Sequence, residues 1–110
     1  MAGLVKGEVV VIPFPFSDLT RAKRRPALIV AALNGDDLIL CQITSQQIRD
    51  RYAILIKESD FQSGTLRQES NVRPNRIFTA DRHLILRHAG HLKSDKTNEV
   101  TEGIIGILQQ

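Results

Sequence analysis

The chain is 110 residues and 12.3 kDa, one domain's worth, and a chain of this size buries roughly 65% of its unfolded surface, enough for a core without metal or disulfide staples. Its 42% hydrophobic and 25% charged residues exclude a disordered or collagenous chain. Fifteen Lys and Arg against twelve Asp and Glu give +3, which permits a nucleic-acid partner without demanding one.

No apolar run reaches the roughly 18 residues of a membrane span, and Met1–Lys6 lacks the apolar core of a signal peptide. The expectation is a single domain over residues 1–110, soluble and cytoplasmic, with no membrane association. A lone Cys41 excludes an intrachain disulfide and a multi-cysteine zinc site. The basic excess lies in residues 1–92, since residues 93–110 carry two Lys against Asp95, Glu99 and Glu102. Ten of the fifteen cations are Arg, whose planar fork grips phosphate oxygens two at a time.

In chain order, Glu8 to Phe16 is β-branched and aromatic, as suits a strand. Pro13 and Pro15 lack the donor a central strand needs, so its far end is expected at an edge or outside the sheet. A polar loop is expected from Ser17 to Arg25, then a buried strand over Ala27–Leu33. Asn34-Gly35-Asp36 is a hairpin turn signal, with a return strand from Asp37 to Ile43. Tyr52–Ile56 and Val72–Thr79 read as further strands, Pro74 marking an edge or bulge in the second. The period then changes: Val100, Ile104, Ile107 and Leu108 fall on one face of a helix. Ser94 is its expected N-cap, and Asp95 and Glu99 lie near the positive end of its dipole. Gly103 and Gly106 imply close packing against a sheet or a shorter helix. Short strands, tight turns and one final helix predict a mainly β fold, a small barrel or strongly curved sheet with a C-terminal helix.

Two stretches could carry chemistry. Arg21, Lys23, Arg24 and Arg25 stand directly before Pro26, which holds Arg25 extended at a strand entrance; a run of like charges also fits a solvated loop. In Cys41-Gln42-Ile43-Thr44-Ser45-Gln46-Gln47 a buried strand runs out into hydroxyls and amides, able to hold phosphate or base edges or to bond their own turn. Cys41 alternates with Gln42 and reads as a core residue, not a nucleophile. His83, His88 and His91 lack the spacing of a helical zinc pair. No Walker loop, nucleophile elbow or dinucleotide fingerprint is present. No metal and no cofactor are expected.

Taken together, Gly7-Glu8-Val9-Val10-Val11, a polar loop, Arg24-Arg25-Pro26-Ala27-Leu28-Ile29-Val30 and Ile43-Thr44-Ser45 resemble the MazF/PemK family of toxin endoribonucleases. Asn71-Val72-Arg73-Pro74-Asn75-Arg76 through Thr79-Ala80-Asp81 looks like that family's later strand, before its terminal helix. The resemblance covers nearly the whole chain in order. It implies an SH3-like barrel of the MazF/CcdB type that forms a homodimer and cuts single-stranded RNA at short motifs without a metal. It also implies a cognate antitoxin that occludes the RNA groove. Arg25 matches the family's essential arginine and Thr44 its essential threonine, while Ser45 and Arg73 match positions that assist RNA contact. Arg24, Asn75 and Arg76 complete the expected RNA-binding set. The chain departs from the family at Leu19-Thr20-Arg21-Ala22-Lys23-Arg24, which has neither the acid nor the histidine often found there. It departs again at Asn75, where some members carry an acid; an amide cannot exchange protons at neutral pH. The resemblance therefore assigns no general acid or base.

Phe14, Phe16 and Phe78 could stack on unpaired bases or pack in the core. Two other classes fit the same strands: a non-enzymatic toxin of this fold that poisons a protein such as DNA gyrase, and a small barrel that binds nucleic acid without cutting it. Arg25-Pro26 paired with Thr44-Ser45 favours the enzyme, because a protein-poisoning surface has no need of phosphate-directed groups there.

Overall fold

A computed structural model describes residues 4–15 and 22–110. Seven strands, β1 (Glu8–Pro15), β2 (Ala22–Ala32), β3 (Asp37–Thr44), β4 (Ile54–Ile56), β5 (Phe61–Gly64), β6 (Ser70–Asp81) and β7 (Arg87–Leu92), precede one helix, α1 (Ser94–Leu108). They form one antiparallel sheet in the order β4-β6-β3-β2-β1-β7-β5. The sheet curls into a half-barrel that α1 closes against β6. The mainly β fold with a C-terminal helix expected from the sequence is the fold observed. No helix among the described residues is long and apolar enough to cross a membrane.

The strands alternate as a half-buried pleat must. Val9, Leu28, Cys41, Ile43, Val72 and Leu92 pack on one face, together with Ile56, Phe61 and Val100 of α1. Val10, Ile12, Ala27, Ile29, Leu38 and Leu40 pack on the other, beside Phe78, Ala80 and Ile85. Cys41 is wholly buried in the first cluster, as its alternation predicts.

Pro13, Pro15 and Pro26 sit where only one neighbouring strand is in register. β1 pairs with β7 only from Glu8 to Val11, so Pro13 and Pro15 face β2 alone, the edge expected of them. Pro74 lies in a bulge, where β6 jumps from Arg73 opposite Gln42 to Ile77 opposite Cys41. Gly35 has φ 86° in the turn after β2, as the hairpin signal requires.

Four expectations need correction. β2 begins at Ala22, so Lys23, Arg24 and Arg25 are strand residues paired with Phe14, Pro13 and Ile12 rather than loop; β1 supplies the ladder, and alternation sends successive cations to opposite faces. Ser94 is the first helical residue and Lys93 the cap, with no side-chain capping bond. Leu108 is 72% exposed, outside the core. Gly103 does pack closely, against Pro74 and Ile54, whereas a Cβ at Gly106 would meet nothing within 4 Å. The sequence-predicted positions Phe16 and Arg21 lie outside the described residues.

Candidate active site: an arginine-lined groove at the strand ends

Where β2 begins and β3 ends, the two strands run on past their last paired residues, Ala27 and Gln42. Two residues further along each lie Arg25 and Thr44, which the same register sets across from one another. Arg25 takes the face of Ala27 and Ile29, and Thr44 that of Gln42 and Leu40. On the far side of β3, Thr44 pairs with Asn71 and Gln42 with Arg73. Arg25, Thr44 and Arg73 are thus gathered at one end of the sheet from segments up to 48 positions apart.

A groove of about 310 Å³ opens at this end, lined by Arg24, Arg25, Pro26, Ile43, Thr44, Ser45, Leu66, Arg67, Gln68, Ser70 and Arg87. Four of these residues are arginines and none is a carboxylate. Four guanidiniums around neutral donors make a site for a polyanion. The adjoining groove of about 550 Å³ shares Leu66, Arg67 and Gln68 but adds Glu58 and Glu69, so among the described residues the arginines concentrate on the Arg25 side.

Thr44 is only 6% exposed, and its Oγ1 accepts the Gln46 N–H at 3.1 Å. The hydroxyl is therefore a fixed group at the start of the 45–53 loop. Ser45 is exposed beside it.

The other expected RNA-binding residues are placed differently. Arg73 donates from Nη2 to Asp50 Oδ2 at 2.9 Å, and Asn75 donates to the same oxygen at 3.4 Å. Asp50 also accepts the N–H groups of Tyr52 and Ala53, each at 3.0 Å. The Arg73 guanidinium chiefly, with those two N–H groups and Asn75, holds the Asp50 carboxyl below the usual carboxylate range. Arg76 is exposed in the bulge and, like Arg73 and Asn75, is not part of the groove lining.

Arg67, Gln68, Ser70, Arg87 and Asp50 were missed by sequence reasoning. Arg87 reaches the groove because β7 pairs with Val11, which also pairs with Pro26, and no local pattern around Arg87 announces that strand.

The three histidines are held by carboxylates. The 7%-exposed Glu8 is bracketed by His88 Nε2 and by His91 Nδ1, the latter at 2.9 Å, which satisfies a buried acid at the base of β1. His83 pairs with Asp81 at 2.6 Å. Asp36, Asp81 and His83 bring their donor atoms within 4.8 Å of one another, but at the opposite end of β3 from Thr44, beyond Asp37. Phe14 and Phe78 face each other at 5.0 Å and 55°, half-buried in a hollow of about 330 Å³ with Ile12 and Leu84. Ile12 stands across from Arg25, so this apolar hollow adjoins the cationic groove.

Fold and groove together define a small curled-sheet protein with an arginine-lined groove at its strand ends. Residues 5–108 match the family model for the PemK-like, MazF-like toxin of type II toxin-antitoxin systems, and the chain belongs to that family. No curated protein matches the sequence. Among solved structures, the chain is similar to an endoribonuclease in complex with its cognate antitoxin from a mycobacterial species (14% identity, TM-score 0.77, covering 97% of this chain and 96% of that one). It is also similar to MazF from Deinococcus radiodurans (18% identity, TM-score 0.74, 96% of each chain). A third is the Mycobacterium tuberculosis toxin MazF-mt6 (17% identity, TM-score 0.67, 91% of this chain and 96% of that one).

Proposed function

We propose that this chain is the toxin of a toxin-antitoxin pair and cuts single-stranded RNA at short sequence motifs without a metal. The observation that carries the reading is the convergence of Arg25 and Thr44 on a groove whose described lining holds four arginines. Family membership supports it, as do neighbours described as endoribonucleases.

In the proposed reaction the ribose 2′-oxygen attacks the adjacent phosphorus, a P–O bond forms to the 2′-oxygen, and the bond to the 5′-oxygen breaks. The 2′-OH gives up its proton and the departing 5′-oxygen takes one up, leaving a 2′,3′-cyclic phosphate and a 5′-hydroxyl. Negative charge grows on the phosphate oxygens during this step. Donors already aimed at that charge commonly supply the largest catalytic contribution, and Arg25 provides one without exchanging a proton. Thr44 Oγ1 accepts from Gln46 through one lone pair, and its O–H hydrogen is placed to orient a phosphate oxygen. Arg24, Ser45, Arg67 and Arg87 hold the flanking backbone, with Arg73, Asn75 and Arg76 beside them on β6.

The same reading carries a cytoplasmic location, a homodimer and an antitoxin whose acidic, partly disordered tail folds over the groove. Incubating the purified chain and its Arg25→Ala variant with a long single-stranded RNA tests it. Cleavage by the native chain and a loss of roughly 10²–10³-fold in the variant are expected. Arg24→Ala should instead weaken binding in a salt-dependent way. Intact RNA with the native chain would favour a toxin that acts on a protein.

A further inference from the structure

We propose that Asp50 is a positioning residue of the RNA-cleaving site, holding Arg73 and the 45–53 loop in the geometry that presents Thr44 and Ser45 to the groove; the inference rests on the ribonuclease reading above. Residues 45–53 join β3 to β4 without a strand or helix of their own. A segment of this kind loses much conformational entropy on being fixed, so what fixes it matters to a site at its root. Both ends of the loop are tied to β6. At the first, Gln46 N–H bonds Thr44 Oγ1 at 3.1 Å, and Asn71, the β6 partner of Thr44, reaches Gln46 O at 3.5 Å. At the second, one carboxylate takes four donors: Arg73, Asn75 and the N–H groups of Tyr52 and Ala53.

The loop is held from a third side as well. Tyr52 Oη accepts from Gln110 Nε2 at 2.9 Å and from Arg51 at 3.2 Å, which joins the turn after Asp50 to the end of α1. Among these ties the Arg73–Asp50 contact is the ion pair. The Arg73–Asp50 pair is partly shielded, with side chains 16% and 29% exposed, so removing one partner leaves the other incompletely solvated and unbalanced. Arg73 pairs with Gln42, two residues from Thr44 on the same sheet face. A displaced Arg73 would thus be felt in the row of residues next to Thr44, where a misplacement of about 1 Å can cost roughly 10²-fold in rate.

The test compares Asp50→Asn, Asp50→Ala, Arg73→Ala and the double variant Asp50→Ala/Arg73→Ala, each with its melting temperature and its kcat and KM on a short RNA at 25 °C. Asparagine keeps an oxygen for the Tyr52 and Ala53 N–H groups but cannot balance the Arg73 charge. A residue that only caps the turn predicts an Asp50→Asn variant with native activity. Positioning through Arg73 predicts that Asp50→Asn loses roughly 10²-fold in kcat with KM within about threefold. It also predicts that the double variant is no slower than Arg73→Ala, because the two residues act as a unit. Asp50→Asn cleaving within about threefold of the native chain, independent losses in the double variant, or activity that merely follows the folded fraction would each overturn the proposal. If Asp50→Ala does not fold, Asp50→Asn alone decides. A native chain that leaves RNA intact removes the ribonuclease reading and this inference with it, whereas a cleaving native chain beside a fully active Asp50→Asn removes this inference alone.

Discussion

Thr44→Ala separates catalysis from folding most sharply, because this residue has a proposed part in the first and an observed hydrogen bond that serves the second. Its hydroxyl stands at the groove, and its Oγ1 also accepts the Gln46 N–H from a site only 6% exposed. Losing one such hydrogen bond costs about 0.5–1.5 kcal/mol of stability. For a domain of this length that lowers Tm by roughly 2–6 °C, using the usual unfolding entropy per residue. A domain stable by roughly 5–15 kcal/mol would remain more than about 99% folded at 25 °C after that loss. The cost in cleavage is expected to be larger, roughly 10²–10³-fold, as for the removal of one preorganised donor at a developing charge. Cleavage at 25 °C should therefore collapse in a protein whose circular-dichroism melt has moved by only a few degrees. Thr44→Ser keeps the oxygen and should recover most of both properties. An alanine variant that cuts RNA within about threefold of the native chain would refute the role given to Thr44. So would activity lost only in proportion to unfolding.

Further predictions concern burial, backbone and charge. Burial pushes the Cys41 thiol up to about 12, so iodoacetamide at pH 8 should leave the native chain unmodified and label it quickly in urea; rapid native labelling would contradict its core position. Gly64 has φ 66°, and a Cβ there would run into the Ala89 carbonyl and approach Gly90 Cα to 2.6 Å. Gly64→Ala should therefore cost more than the roughly 1–2 kcal/mol of the left-handed backbone alone, and an unchanged Tm would show that β5 does not lie against β7 in this way. The Asp50 carboxyl is held below its ordinary range, first by Arg73. Its contribution to stability is whole above the ordinary carboxylate range and is lost as pH falls through the depressed native value. The Tm gap between the native chain and Asp50→Asn should accordingly close on going from pH 7 to strongly acidic solution, and a constant gap would refute the ion pair.

Much of the sheet was legible because its strands are local patterns. Alternation in β1 and β3, the Asn34-Gly35-Asp36 turn and the helical period after Ser94 each follow from a few adjacent residues. β5 and β7 were not legible. Arg87–Leu92 contains two histidines, a glycine and an arginine, and becomes a strand because Glu8–Val11 offers it a ladder, which propensity does not reveal. Lys23–Arg25 reads as loop for the same reason, since charge argues for solvent and only the hairpin partner argues for a strand. A proline and a hydroxyl run mark two strand ends, and within them the resemblance to the MazF/PemK family singles out Arg25 and Thr44. Arg67, Arg87 and Asp50 carry no such mark. They reach the site through the closing of the curled sheet and through an ion pair that joins residues 23 positions apart.

In the proposed reaction this groove cleaves RNA by attack of the ribose 2′-OH, with arginine and hydroxyl groups in place of a metal. Long single-stranded RNA incubated with the purified chain in excess EDTA, with both new termini mapped, tests it most directly. Undiminished cleavage at a short recurring motif is expected, with 2′,3′-cyclic phosphate on one product and 5′-hydroxyl on the other. Cleavage abolished by EDTA, or products ending in 3′-hydroxyl, would contradict it.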